Sequence, residues 1–167
     1  MAKKKAKLKE NKRIKICFTS SSGGHLEEIS RLNKIAEKYE HFLITEKSSF
    51  SQNKFGEKKY YVPQTNRKEI LFIFKYIYIF IYAFFVLAKE KPDVIISTGA
   101  LITYPVCIIG KLFKKKIVYI ESFARCDKPS LTGRLMYKHA DLFIVQWEEM
   151  IDFYPNAVYG GGIFWFS

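Results

Sequence analysis

The stretch "ILFIFKYIYIFIYAFFVLA", Ile70 to Ala88, constrains this chain more than any other: nineteen residues with a single charge, Lys75. As a helix it reaches roughly 28 Å, the thickness of a bilayer core. It stands mid-chain, however, with strand-like runs on both sides. A spanning helix would put the strands before it and the strands after it on opposite sides of a membrane. One parallel sheet cannot be divided that way. The helix is therefore expected to stay with the sheet as a crossover.

The flanking pattern explains why a parallel sheet is expected. Short runs rich in Ile, Val, Phe and Tyr predict strands at Ile14 to Thr19, His41 to Thr45, Lys59 to Val62, Asp93 to Ser97, Lys116 to Ile120 and Asp141 to Val145. Helices are expected at His25 to Tyr39, Lys68 to Lys89, Thr103 to Phe113, Leu131 to His139 and Glu148 to Phe153. Strands alternating with helices imply crossovers and a parallel sheet covered on both faces. The fold class is α/β, a single Rossmann-like domain over residues 14–167 behind a basic arm, residues 1–13. In such sheets ligands gather at the carboxyl edge of the strands. The segment "EKSSFSQNKFGEKK" reads as a polar, mobile loop.

A helix apolar all round needs its outer face covered. One reading buries it on the sheet. The other, which we favour, rests one face on the sheet and dips the other into lipid, as a monotopic membrane protein. Lys75, Tyr78 and Tyr82 form an i, i+3, i+7 stripe of snorkelling and interface-seeking side chains. Phe74, Lys75, Tyr78, Phe80, Ile81, Tyr82 and Phe85 are the residues expected at the membrane. The net charge of +12 favours an anionic partner, and much of it sits in the opening "MAKKKAKLKENKRIK", suited to acidic headgroups. That arm lacks the apolar core of a signal peptide. No RRM, KH or helix-turn-helix pattern accompanies the charge, so nucleic acid is not an expected partner. Cys17, Cys107 and Cys126 are odd in number, far apart and without metal spacing. They read as reduced structural cysteines, with no metal site and no cofactor expected.

Four loops fall at the carboxyl edge. The first, "SSSGGH", offers backbone N–H groups and hydroxyls at the start of a helix, an arrangement suited to phosphate or diphosphate. It is neither a Walker loop nor a dinucleotide fingerprint. Ser21, Ser22, Gly23 and Gly24 are its candidate diphosphate-binding residues; a tight turn with no ligand is the plainer reading. His25 is either an ordinary helix-start residue or a catalyst at the mouth of that loop. The second loop, "STGALITYP", has Gly99, which permits a close turn and is a further candidate diphosphate-binding residue. In the third, "IESFARCDKPSLTG", Glu121 is expected to point into the cleft, where a carboxylate accepts sugar hydroxyls or a proton, or else to serve as a cap. Arg125 suits a phosphate, and Ser130 or Thr132 suits a helix cap. In the fourth, "VQWEE", Trp147 either stacks on a sugar or fills a seam.

Taken together, "SSSGGHLEEISRL", "KPDVIISTGALITYPVCIIGKLF" and "IVYIESFARCDKPSLTGRLMYKHADLFIVQWEEM" resemble the membrane-anchoring subunit of the two-component UDP-N-acetylglucosamine transferase of dolichol-linked oligosaccharide synthesis. The pattern is more similar still to its bacterial capsule and exopolysaccharide version, the enhancer of a β-1,4 glycosyltransferase. The resemblance runs from Lys15 to Gly162. It implies the amino-terminal half of a split GT-B glycosyltransferase at the cytoplasmic face of the cell membrane. That half would receive a polyprenyl-diphosphate-linked acceptor, while a separate chain would hold the nucleotide-sugar. By the same resemblance, Gly23, Gly24 and His25 would meet the acceptor diphosphate, His25 would be the general base, and Glu121 would match the family's acidic position. Two departures stand out. The amino-terminal transmembrane helix of the eukaryotic subunit has no counterpart here, and the usual Gly-x-Gly-Gly-His loop reads Ser-Ser-Gly-Gly-His. Since a two-domain cleft needs a second domain, Trp147, Phe164, Trp165 and Phe166 are the expected partner interface. The other function class left open is a non-catalytic membrane adaptor that only recruits the catalytic chain.

Overall fold

A computed structural model describes residues 13–47, 54–66 and 69–165. Seven strands run in the order β1 (Lys15–Ser20), β2 (Glu40–Glu46), β3 (Lys59–Val62), β4 (Val94–Ser97), β5 (Lys116–Ile120), β6 (Leu142–Val145) and β7 (Val158–Tyr159). They form one sheet with spatial order β3-β2-β1-β4-β5-β6-β7, and every pairing is parallel. The order reverses at β1–β4, which places a topological switch point between those strands.

The two faces of the sheet are covered by different helices, so the central strands are apolar on both sides. On one face α1 (Gly24–Ser30) and α2 (Asn33–Ala36) supply Leu26, Ile29 and Ala36 against Ile16, Phe18, Leu43 and Ile96. On the other, α3 (Phe72–Glu90), α4 (Thr103–Leu112) and α5 (Leu131–Met136) pack with Cys17, Ile95, Ile117 and Tyr119. A 3₁₀ turn, Glu148–Asp152, follows β6.

Three details depart from the sequence reading. The helix expected over His25 to Tyr39 breaks in two where Arg31 and Leu32 bond three residues back, to Glu28 and Ile29, a tightening that no glycine or proline announces. The polar loop before β3 carries Phe55, which is buried and meets the Phe18 ring edge-on at 5.0 Å. β7 is only two residues long, too short for a periodic signal, and is defined by its pairing with β6. The basic arm, apart from Arg13, lies outside the described residues.

α3 is long and apolar enough to cross a membrane by length and composition. Ile79, Ala83, Val86 and Leu87 nevertheless face the core, and Glu90 at its end reaches Lys15 on β1 and Lys58 just before β3. Its other face is open: Ile73 (65%), Phe74 (71%), Ile77, Ile81, Phe84 and Phe85 (65%) are exposed. Of the residues expected at lipid, Phe74, Tyr78, Ile81 and Phe85 are on that face. Phe80 and Tyr82 are a correction: both are half-buried against the core cluster. Lys75 is half-buried beside Gln64 and Glu69, with which it pairs. Ile73, Ile77 and Phe84 were not singled out from the sequence, because a run apolar on all sides hides which face turns inward.

Candidate functional site

The carboxyl edge carries a cleft of about 400 Å³ lined by His25, Leu101, Ser122, Arg125, Ser130 and Leu131, among others. Three elements meet there: the start of α1, the β4–α4 turn and the β5–α5 loop. His25 Nδ1 lies 2.8 Å from the Thr98 carbonyl, and Thr98 Oγ1 donates back to the His25 carbonyl at 2.8 Å. A carbonyl only accepts, so Nδ1 carries the proton. In the neutral ring Nε2 is then the basic nitrogen, on a residue that lines the cleft.

The β4–α4 turn makes room for this ring. Gly99 has φ of 103°, and a Cβ there would stand 3.2 Å from His25 Cε1 and 3.3 Å from the Tyr119 hydroxyl. Ala100 follows at φ 68°, a left-handed conformation uncommon for a residue with a side chain. The expected close turn at Gly99 is present, and its role is to admit the histidine. Arg125 is exposed on the opposite loop, without an ion-pair partner among the described residues.

Glu121 does not open into this cleft, and here the structure corrects the sequence. Its side chain turns under the start of α5, and the residue is 1% exposed. One carboxylate oxygen accepts from Ser122 N at 3.0 Å, and the other from Ser130 N at 3.3 Å and the Tyr154 hydroxyl at 2.9 Å. Burial, together with the Glu121 charge, pushes the Tyr154 phenol well above its usual range. Gly133 on α5 packs so closely that a Cβ would overlap Glu121 Oε2 and stand 2.6 Å from Tyr154 Oη. Ser130 caps α5 by accepting from Gly133 N at 2.8 Å, as the sequence suggested. Glu121 is thus a fastener of the loop.

Glu28 is the carboxylate that sequence reasoning missed. It lies on α1 and is 4% exposed. It accepts from Ser122 Oγ (2.8 Å), Phe123 N (3.3 Å) and Gln146 Nε2 (3.3 Å). Its sequence signal was weak, one of two consecutive glutamates in a short helix.

The anion-loop reading is narrowed too. Ser22 directs its N–H and hydroxyl at Glu46 Oε2, 3.4 and 3.3 Å away. Ser21 is buried, and its hydroxyl donates to the Ser22 carbonyl. Gly23 (φ 73°) and Gly24 are exposed at the β1–α1 turn. These four residues stand beside the cleft, while His25 and Arg125 line it.

The aromatic segment packs on the β5–α5 loop at Phe123. Trp147 donates from Nε1 to the Phe123 carbonyl at 2.7 Å and stacks at a tilt on Phe123, 5.0 Å between centroids. It fills a seam. Phe164 packs on Phe123 and under the Arg31 guanidinium, and Trp165, 54% exposed, crosses Trp147 edge-on. Phe166 lies outside the described residues.

Parallel strand order, helices on both faces and a cleft at the carboxyl edge define a Rossmann-like α/β domain. Solved structures agree on the fold. A UDP-N-acetylglucosamine 2-epimerase from Rickettsia bellii superposes with a TM-score of 0.73 at 14% identity, covering 91% of this chain and 46% of that one. MurG of Acinetobacter baumannii gives 0.63 at 12% identity, covering 89% and 44%. The chain thus spans about half the length of these structures. Residues 16–163 match the family described as oligosaccharide biosynthesis protein Alg14 like, and the chain belongs to that family. Relatives named UDP-N-acetylglucosamine transferase subunit ALG14 include one from Candida albicans, 31% identical over 95% of this chain and 81% of its own length. Another, from Homo sapiens, is 28% identical over 90% and 83%.

Proposed function

We propose that this chain is the membrane-associated, acceptor-binding subunit of a two-chain inverting glycosyltransferase. The observation that carries the reading is the pinned histidine: with Nδ1–H held by Thr98, Nε2 of a cleft residue is free to take a proton. In this mechanism a lipid-linked acceptor enters beside the open face of α3, whose Tyr76 hydroxyl bonds the carbonyl of Leu101 in the cleft wall. Arg125 meets the acceptor diphosphate. The acceptor hydroxyl gives its proton to His25 Nε2 and bonds to the anomeric carbon as the bond from that carbon to the nucleotide phosphate breaks, with inversion. The nucleotide-sugar is supplied by a second chain, docked against Phe164 and Trp165. The names of the relatives as transferase subunits support this division. α3 rests on the cytoplasmic leaflet. A capsule or exopolysaccharide setting belongs to the same reading on the resemblance of the sequence alone, and the relatives above are eukaryotic.

The burial of Glu121 favours a second reading, a non-catalytic adaptor, because it removes one of two expected catalytic groups from the cleft. Sugar transfer to a polyprenyl-diphosphate sugar tests both. Transfer is expected only with the two chains mixed, and His25→Ala should abolish turnover while partner binding persists. Full activity from this chain alone would overturn the division of labour, and unchanged turnover in His25→Ala would establish the adaptor.

A further inference from the structure

We propose that Glu28 is a positioning residue for His25, a buried carboxylate one helical turn along α1 that supports the imidazolium formed when His25 accepts a proton. This rests on the reading of His25 as the base. Residues i and i+3 share one face of a helix, so the two side chains lie over the same part of the β5–α5 loop. That loop holds Glu28 rigidly, since Ser122 is itself 5% exposed and contributes its hydroxyl at 2.8 Å. A buried carboxylate needs its charge offset, and Glu28 has three hydrogen-bond donors but, among the described residues, no salt-bridge partner, so a cation formed at His25 would complete its surroundings. Burial prevails and holds the Glu28 carboxyl above its ordinary value, while the Ser122 hydrogen bond, the His25 charge, Phe123 N–H and Gln146 pull it part of the way back.

Gln146 extends the arrangement. Its Nε2 donates to Glu28 Oε2 at 3.3 Å and to the Glu121 carbonyl at 2.9 Å, and its Oε1 accepts from Ile163 N at 2.8 Å. Phe164 and Trp165 follow Ile163 directly, so the segment assigned to the partner chain reaches the support of His25 through one buried amide. Among the described residues, the other titratable groups around the pair are Arg125 and Tyr119 near the His25 ring, Glu121 across Gln146, Glu27 on α1 and Arg31 just after it. Glu28 differs from these in being both buried and on the helical face of His25.

The test is a histidine-imidazole NMR titration of the full chain in detergent micelles. Glu28→Gln is expected to lower the His25 midpoint by about half a pH unit or more, as loss of a nearby negative charge requires. Glu28→Asp, which keeps the charge, should restore most of it, a recovery that a purely structural role would not produce. An unmoved midpoint in folded Glu28→Gln overturns the proposal. Should that variant fail to fold, Gln146→Leu decides: it keeps the carboxylate and strips one donor from it, so the midpoint should hold or rise, and a fall there overturns the proposal. The titration needs no sugar transfer. If His25→Ala leaves transfer intact, the base reading fails, while the midpoint still reports whether Glu28 governs the imidazole.

Discussion

Glu90 ends α3 and faces the sheet, and replacing it measures what keeps this apolar helix on the domain. Its side chain is 4% exposed and accepts from Lys15 Nζ at 2.8 Å, Lys58 Nζ at 2.6 Å and the Tyr60 hydroxyl at 2.5 Å. Burial alone would raise its pKa, but the Lys15, Lys58 and Tyr60 hydrogen bonds prevail and hold it at about 2, against an ordinary 4.5. At about 1.4 kcal/mol per pH unit, that difference stabilises the folded state by about 3 kcal/mol at neutral pH. Lys58 is 53% exposed, so solvent screens its share, and about 2 kcal/mol is the expected loss in Glu90→Gln. Lys15 keeps Glu40 at 2.7 Å, so the variant strands no cation. The pH dependence follows from the depressed folded pKa. The contribution is full above 4.5 and fades as pH falls toward 2, so wild type and variant should converge across that window. Urea unfolding in detergent, followed by tryptophan fluorescence at several pH values, measures the gap. A variant within about 0.5 kcal/mol of wild type at pH 7, or a gap that persists at pH 2, would refute the reasoning. The same result would remove the main polar argument against a spanning α3, since a helix crossing the bilayer could not bring Glu90 to Lys15.

Gly133→Ala should cost about 3 kcal/mol or more, because its Cβ needs the space of Glu121 Oε2 and Tyr154 Oη; thermal unfolding checks it, and a loss under about 1 kcal/mol would show that the β5–α5 fastener yields. Gly99→Ala combines a strained φ of 103° with a Cβ 3.2 Å from the His25 ring. It should reduce transfer by the two-chain complex more than it reduces stability, read as a drop in kcat with a small change in Tm. Ile77, Ile81 and Phe85 changed together to Ser should release the chain from anionic vesicles by about tenfold or more in a flotation assay, while Ser at half-buried Phe80 should mainly destabilise the fold. Retention of the triple variant on vesicles would rule out the open face of α3 as the membrane contact.

The amino-acid sequence by itself determined the architecture. Six apolar runs with five helical stretches among them are a local, repeated signal, and parallel strands buried on both faces need near-continuous Val, Ile and Phe. β3 and β5 therefore begin and end where expected, and the carboxyl-edge loops could be named in advance. His25 and Arg125 were legible because a histidine after two glycines and an arginine in a strand-end loop are placed by topology alone. What the tertiary structure decided was the direction of side chains within that frame. Glu121 and Glu28 are both glutamates near the same edge, yet packing of α5 turns the first away from the cleft and Ser122 holds the second, buried, against the β5–α5 loop. The inward face of α3 was undecidable from nineteen residues with no polar stripe strong enough to orient them. Only the sheet beneath selects Ile79, Ala83, Val86 and Leu87, because a helix apolar on every side is oriented by its contacts rather than by its pattern.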